Sequence, residues 1–162
     1  MAHLQNVLQG RTKRAVYENQ IGEEINHTKD LLPVFISNCT DCQFSFQTST
    51  IIQLTISNCK NCRLIISSKI LTDAQVIGCS SLSIISENDG CCWVFDNTTN
   101  SNYRQSDGEF TMYSTKSQFD IFYGLEKTLQ INQQDDPIRL KISIDGNGEI
   151  SQFPCNNFGD II

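Results

Sequence analysis

Proline is scarce in this sequence, with three among 162 residues. That excludes a proline-rich linker or an extended proline-rich recognition segment. No run approaches the roughly 18 consecutive apolar residues that a membrane-spanning helix needs. The stretch from Met1 to Gln20 holds no apolar core of signal-peptide type, so a secretory route is not expected. Basic charge is in deficit, with 12 Lys and Arg against 18 Asp and Glu and a net charge of −6. A general nucleic-acid binder needs a basic stripe to neutralise phosphates, and this balance excludes one. Histidine is represented by His3 and His27 alone, and neither has a nucleophile of Ser or Cys elbow type beside it. What the chain does have is 39% hydrophobic residues, only 19% charged ones, and eight cysteines. The first two figures exclude intrinsic disorder and suit one domain with a core of its own.

The cysteines admit two stock readings. Disulfides are disfavoured without a secretory signal, because a reducing compartment keeps thiols free. The three sequons at Asn26, Asn38 and Asn97 carry little weight in so asparagine-rich a chain. Zinc fits better at first sight. Cys39, Cys42, Cys59 and Cys62 form two C-x-x-C pairs with sixteen residues between them, within the zinc-ribbon window.

An internal repeat points elsewhere. Val34 to Phe46 (VFISNCTDCQFSF), Leu54 to Ile66 (LTISNCKNCRLII) and Ala74 to Ser86 (AQVIGCSSLSIIS) align at a constant step of twenty. Ile36, Ile56 and Val76 share a column, as do Cys39, Cys59 and Cys79, and then Cys42, Cys62 and Leu82. A metal ligand cannot be exchanged for leucine, whereas a small buried side chain can. Most of the cysteines are therefore expected to be core, and zinc becomes the lesser alternative. Phe44 and Phe46 flank Ser45 with the period of a strand. Asn38, Asn58 and Gly78 form a column of residues that tolerate a left-handed backbone, which marks a corner. Short strands and corners recurring at that step predict a parallel β-solenoid of roughly five coils.

Beyond the third copy the pattern weakens. Glu87 to Gly90 reads as a turn, Cys91 to Phe95 as an apolar strand with at most one of Cys91 and Cys92 inside, and Asp96 to Gly108 as a protruding polar loop. Strands return at Glu109 to Tyr113 and Gln118 to Tyr123. Ile138 to Ile144, the turn Asp145-Gly146-Asn147-Gly148 and Glu149 to Phe153 predict a C-terminal hairpin that covers the open end of the stack. Residues 1–15, basic through Arg11, Lys13 and Arg14, read as a flexible N-terminal arm, and residues 16–162 as one β-solenoid domain.

Several of these motifs, in order, resemble the C-terminal domain of cyclase-associated protein. They are Val16-Tyr17-Glu18-Asn19-Gln20, Asn58-Cys59-Lys60 before an apolar strand, Asp89-Gly90-Cys91, and Gln152-Phe153-Pro154. The resemblance spans about Val16 to Phe158. It implies a right-handed β-helix that binds monomeric actin, promotes nucleotide exchange on ADP-actin, and dimerises by exchanging a C-terminal hairpin. It also implies a cytoplasmic, cytoskeleton-associated protein. In that family the hairpin follows the "E-F-P" segment, whereas here the hairpin pattern precedes Phe153-Pro154. Asn38-Cys39-Thr40-Asp41-Cys42 also resembles tubulin-folding cofactor C and its relatives, which carry a "Q-L-R" strand whose arginine assists GTP hydrolysis by a partner. This chain has Gln53-Leu54-Thr55 there, and threonine cannot place a fixed positive charge on a phosphate. A cofactor C-like GTPase-activating or tubulin-folding role is thus the second alternative.

Nothing in the sequence assembles catalysis, and an enzyme is not expected. Asp41, Asp73, Asp89 and Asp107 fall in turns and loops, and Asp145 to Glu149 lacks the spacing of a calcium loop. A binding protein works through its outer faces. Ser45, Ile65 and Ile85 point outward on one strand position, an apolar pair on a polar face. Lys60, Arg63 and Lys69, with Gln53 and Thr55, are the candidate partner contacts, the cations being suited to an acidic partner such as actin.

Overall fold

The structure, a computed structural model of the chain, describes residues 13–87, 91–134, 136 and 138–155. Every regular element in it is a strand. The first coil consists of β1 (Ala15–Glu18) and β2 (Glu24–His27). The second adds β3 (Pro33–Ser37), β4 (Gln43–Phe46) and the short β5 (Thr50–Ile51), and the third β6 (Gln53–Ser57), β7 (Arg63–Ile66) and β8 (Lys69–Ile70). Then come β9 (Asp73–Ile77) and β10 (Ser83–Ser86), β11 (Cys92–Asp96) and β12 (Ser101–Gln105), and β13 (Phe110–Thr115) and β14 (Gln118–Tyr123). Three strands close the described chain: β15 (Lys127–Asn132), β16 (Arg139–Ile144) and β17 (Ile150–Cys155).

Successive coils stack in parallel into two long sheets, β1-β3-β6-β9-β11-β13 and β2-β4-β7-β10-β12-β14, with β5-β8 as a short third side. This is the β-solenoid that the repeat predicts, with six coils where roughly five were expected. Ala15, Val34, Leu54, Ala74, Trp93 and Met112 share one inward column. The step is twenty from Val34 to Leu54 and on to Ala74, and nineteen between the other neighbours in that column. The period of twenty belongs to the middle coils, which is why the alignment stops there. Inward side chains such as Leu54, Leu64, Trp93 and Tyr103 have no exposed surface and form one continuous core.

Most corners have two residues with left-handed backbone, three apart. Asn19, Asn38, Asn58, Gly78, Asn97 and Lys116 form one such column, with φ between 48° and 64°. Gly22, Asp41, Asn61, Ser81 and Asn100 form the second, with φ between 51° and 67°. Asn, Asp and Gly dominate because they bear this conformation at least cost.

Between these columns sit the cysteines. Cys39, Cys59 and Cys79 each donate a thiol hydrogen to the carbonyl two residues earlier, at 3.4 Å. Thr98 and Ser117 make the same bond in the next two coils, to the carbonyls of Asp96 and Thr115. The rungs also touch one another, for the Cys79 amide donates to Thr98 Oγ1 and the Thr98 amide to Ser117 Oγ. Cysteine suits this column because it is small, apolar and a weak donor at once. Cys42 and Cys62 bond the carbonyls of Thr40 and Lys60 in the same way, and Ser101 bonds that of Thr99. All eight cysteines are free thiols.

One expectation fails. The stretch from Asp96 to Gly108 is no protruding loop but most of a coil, containing β12 with Tyr103 fully buried. Its inward positions are polar (Thr98, Ser101 and Gln105), so hydrophobic periodicity is blind to it. Those groups are satisfied within the stack, the Tyr103 hydroxyl donating to Gln105 Oε1 and the Gln105 amide to the Asp107 carbonyl. The turn expected at Glu87 to Gly90 lies mostly outside the described residues. So does most of the expected arm, of which Ala15 already belongs to β1.

At the C-terminal end β15 returns antiparallel on β14, and the β16–β17 hairpin pairs antiparallel on β13. Its turn is held by Asp145 Oδ1, which accepts the amides of Asn147 and Glu149. Phe153 and Pro154 lie within β17, the edge strand, where proline interrupts further pairing.

Candidate functional site

Period-two alternation sends every second side chain of each long sheet outward, so stacking turns single residues into ladders. On the seven-stranded sheet one outward ladder runs Ser45, Ile65, Ile85, Arg104 and Phe122. The two isoleucines are half-buried, and the Arg104 guanidinium lies 4.8 Å from the Phe122 ring centre. Such stacking orders the arginine while leaving its donors available. Arg63 is exposed one position away on β7. This face therefore joins an apolar strip to two arginines on a chain that is acidic overall.

The opposite, eight-stranded sheet carries the outward ladder Phe35, Thr55, Gln75, Val94, Tyr113 and Lys141. Arg14 stacks over Phe35 at 5.2 Å, and Arg139 over Tyr113 at 4.6 Å. Asp73 on the same sheet accepts the side-chain amides of Gln53 (2.7 Å) and Gln75 (3.1 Å). Burial, and then the Asp73 carboxylate, push the half-buried Cys92 thiol above its ordinary pKa.

The five candidate contacts do not form one site. Gln53 and Thr55 lie on the eight-stranded sheet, with Gln53 tied to Asp73. Lys60 is an exposed corner residue bridged to Thr40 and Ser80, and Arg63 opens β7 three residues later. Lys69 starts β8 on the short third side. Only Arg63 adjoins the isoleucine strip, with Lys60 at the rim of that face. Residue reading missed Arg104 and Phe122, which complete the strip. Arg104 pairs with Ile85 at a step of nineteen and Phe122 with Arg104 at a step of eighteen. Carrying the alignment onward with a deletion of one residue and then of two therefore finds both.

The zinc alternative gains no support from the geometry. Cys39, Cys42, Cys59 and Cys62 are spread over two stacked coils, each thiol serving as a donor to a backbone carbonyl of its own corner. No three His, Cys, Asp or Glu side chains among the described residues are grouped to hold a metal ion. The Cys62 thiol is pushed well up, first by its hydrogen bond with Cys59 and then by burial, which opposes the thiolate that zinc needs. Likewise Asp145 spends its oxygen on the hairpin turn. No helix of the described residues is long and apolar enough to cross a membrane.

No family model matches the chain, and no curated protein matches its sequence. Comparison with solved structures finds the same fold in the crystal structure of cyclase-associated protein from Cryptosporidium parvum. The two superpose with a TM-score of 0.65 at 14% sequence identity, over 88% of this chain and 92% of that one. The likeness takes in the solenoid nearly end to end, and this chain is therefore similar in fold to cyclase-associated protein.

Proposed function

We propose that this protein binds monomeric actin and promotes filament turnover by speeding nucleotide exchange on ADP-actin. The observation that carries this reading is the near end-to-end likeness of the solenoid to cyclase-associated protein, at 14% identity. The ordered motifs from Val16-Tyr17-Glu18-Asn19-Gln20 to Gln152-Phe153-Pro154 support it independently of the backbone. The contact surface in this reading is the strip of Ile65, Ile85, Arg104 and Phe122 with Arg63 beside it. Apolar centre and cationic rim suit an acidic partner that buries a flat patch. A ligand speeds nucleotide release only by preferring the open form of actin, and a tenfold preference corresponds to about 1.4 kcal/mol. No bond chemistry of its own is required. In the same reading the protein is cytoplasmic, associates with the cytoskeleton, and forms a homodimer by exchanging the β16–β17 hairpin.

Fluorescent-nucleotide release from ADP-actin tests the proposal. Acceleration that saturates with protein concentration is the expected result, and neither binding nor acceleration would sink it. Stimulated GTP hydrolysis by a small GTPase or by tubulin would instead favour the cofactor C-like alternative, despite Thr55. Light scattering decides the dimer: a mass near 18.3 kDa at micromolar concentration would rule out hairpin exchange.

A further inference from the structure

The two arginines on the outer face of the seven-stranded sheet stand in different surroundings. Arg63 belongs to the ladder Gln43, Arg63, Ser83, Asn102 and Asp120, which holds no aromatic residue. Arg104 stands between Ile85 and Phe122, with Ile65 beyond Ile85. Its guanidinium carbon lies 4.8 Å from the Phe122 ring centre, while the residue as a whole stays exposed. Among the described residues no carboxylate pairs with it. Asp120, the acid of the neighbouring ladder, is in register with Asn102 instead. A guanidinium already stacked on a ring gives up little further rotamer freedom on binding. Its fork of donors matches a carboxylate in two parallel hydrogen bonds.

We propose that Arg104, held in place by Phe122, fixes the register of the bound partner by taking one carboxylate of an acidic protein in a bidentate pair. This rests on the reading of the face as the actin contact and names the chemistry of that contact. Phe122 is then a positioning residue that acts through the arginine. The surroundings of the fork favour a carboxylate over a phosphate. β10, β12 and β14 each have a paired strand on both sides, so their backbone amides are spent within the sheet. The site therefore offers one guanidinium with isoleucine beside it. A phosphate is held by several converging donors, whereas a single fork satisfies one carboxylate. Docking brings the strip from Ile65 to Phe122, about 14 Å at three strand spacings, against the partner and excludes water from the pair. A charge pair shielded in this way gains strength, while Arg63 beside the strip stays in solvent and serves encounter.

The test compares the full chain with Arg104→Lys, Arg63→Lys, Phe122→Leu and Phe122→Trp in binding to ADP-actin. Arg104→Lys keeps the charge but loses the fork, and should weaken binding about fivefold or more, well beyond the loss from Arg63→Lys. Phe122→Leu should weaken it about threefold, and Phe122→Trp, which keeps a ring under the guanidinium, should recover most of that loss. In the free protein, nitrogen relaxation of the Arg104 Nε–H should report an ordered group that becomes mobile in Phe122→Leu but not in Phe122→Trp. A lysine as good as the arginine, or an Nε–H equally mobile with and without the ring, would overturn the proposal. If the native chain does not bind actin, the functional reading falls, and titration with acetyl-tetraglutamate decides the inference. It should then shift the Arg104 Nε–H about twofold further than the Arg63 Nε–H, because only Arg104 is held ready. Equal shifts, or a larger response of Arg104 to inorganic phosphate at the same concentration, would overturn the carboxylate assignment.

Discussion

Lys116 has φ 50° in a column whose other members are Asn19, Asn38, Asn58, Gly78 and Asn97. A left-handed residue without the local polar side chain of Asn costs about 1 kcal/mol. Lys116→Asn should therefore stabilise the protein by about 0.5 kcal/mol, seen as a higher urea midpoint at unchanged slope. Gly78→Ala should do the reverse. At φ 64° an added Cβ would stand 2.8 Å from Asn58 Oδ1, and a loss of about 1–2 kcal/mol is expected in the same measurement. His27 gives a pH test. Burial first, opposed in part by the Lys29 backbone, holds its pKa below the ordinary value, so the folded state favours the neutral ring. Its contribution is fully present above the unfolded pKa of about 6.5 and is lost as pH falls from there through the lower folded value. Thermal midpoints should decline below that pH, and His27→Phe should flatten the decline. Thiol reactivity is expected to follow burial: of eight cysteines only Cys92 is half-exposed, so a single equivalent should react with a thiol reagent in the native protein, more slowly than a free thiol because its pKa is raised. Cys91 beside it is buried and, through that burial, pushed up to about 12.

Among the elements, β12 and its corner show how a coil survives without an apolar stripe. Thr98 occupies the place of Cys79 and accepts that residue's amide hydrogen while donating to the Asp96 carbonyl. Thr98→Val keeps the shape and removes both bonds, and should cost about 1–3 kcal/mol in urea unfolding, because the buried Cys79 amide loses its acceptor while the Asp96 carbonyl keeps only the Gly78 amide. Thr98→Cys, which restores the residue of the earlier coils, should cost less. The corner column and the step of twenty were legible because asparagine, glycine and cysteine are distinctive and recur. The coil from Asp96 to Gln105 was not, since Ser, Thr and Gln look the same to a hydropathy pattern whether they face a core or water. The hairpin was legible for the opposite reason: alternation in Ile138 to Ile144 and a turn rich in Asp, Asn and Gly are purely local signals.

At the scale of the whole molecule the two faces differ in chemistry, and that difference makes the functional proposal separable from stability. Arg63→Glu combined with Arg104→Glu changes only side chains that point into solvent from the seven-stranded sheet. The pair should weaken binding to actin monomers at least tenfold and leave the thermal midpoint within a degree or two. Thr55→Asp on the opposite sheet should leave binding unchanged, and equal losses from both faces would contradict the assignment of the site. Only part of this site was readable beforehand. Arg63 and the isoleucine pair lie within the regular repeat, whereas Arg104 and Phe122 lie beyond the deletions that break it.

Five cysteines (Cys39, Cys42, Cys59, Cys62 and Cys79) and a register of twenty determine by themselves that the chain coils, where its middle corners fall, and that thiols fill them. These are properties of nearest neighbours along the chain, repeated, and a repeat prints them in the sequence. Which outward residues become adjacent was decided by the stack alone. Residues one coil apart in sequence are brought to a strand spacing of about 4.8 Å, and a single dropped residue per coil shifts every later ladder. The same stacking decided that one end is covered by the C-terminal strands while the first coil still shows the edge of its core.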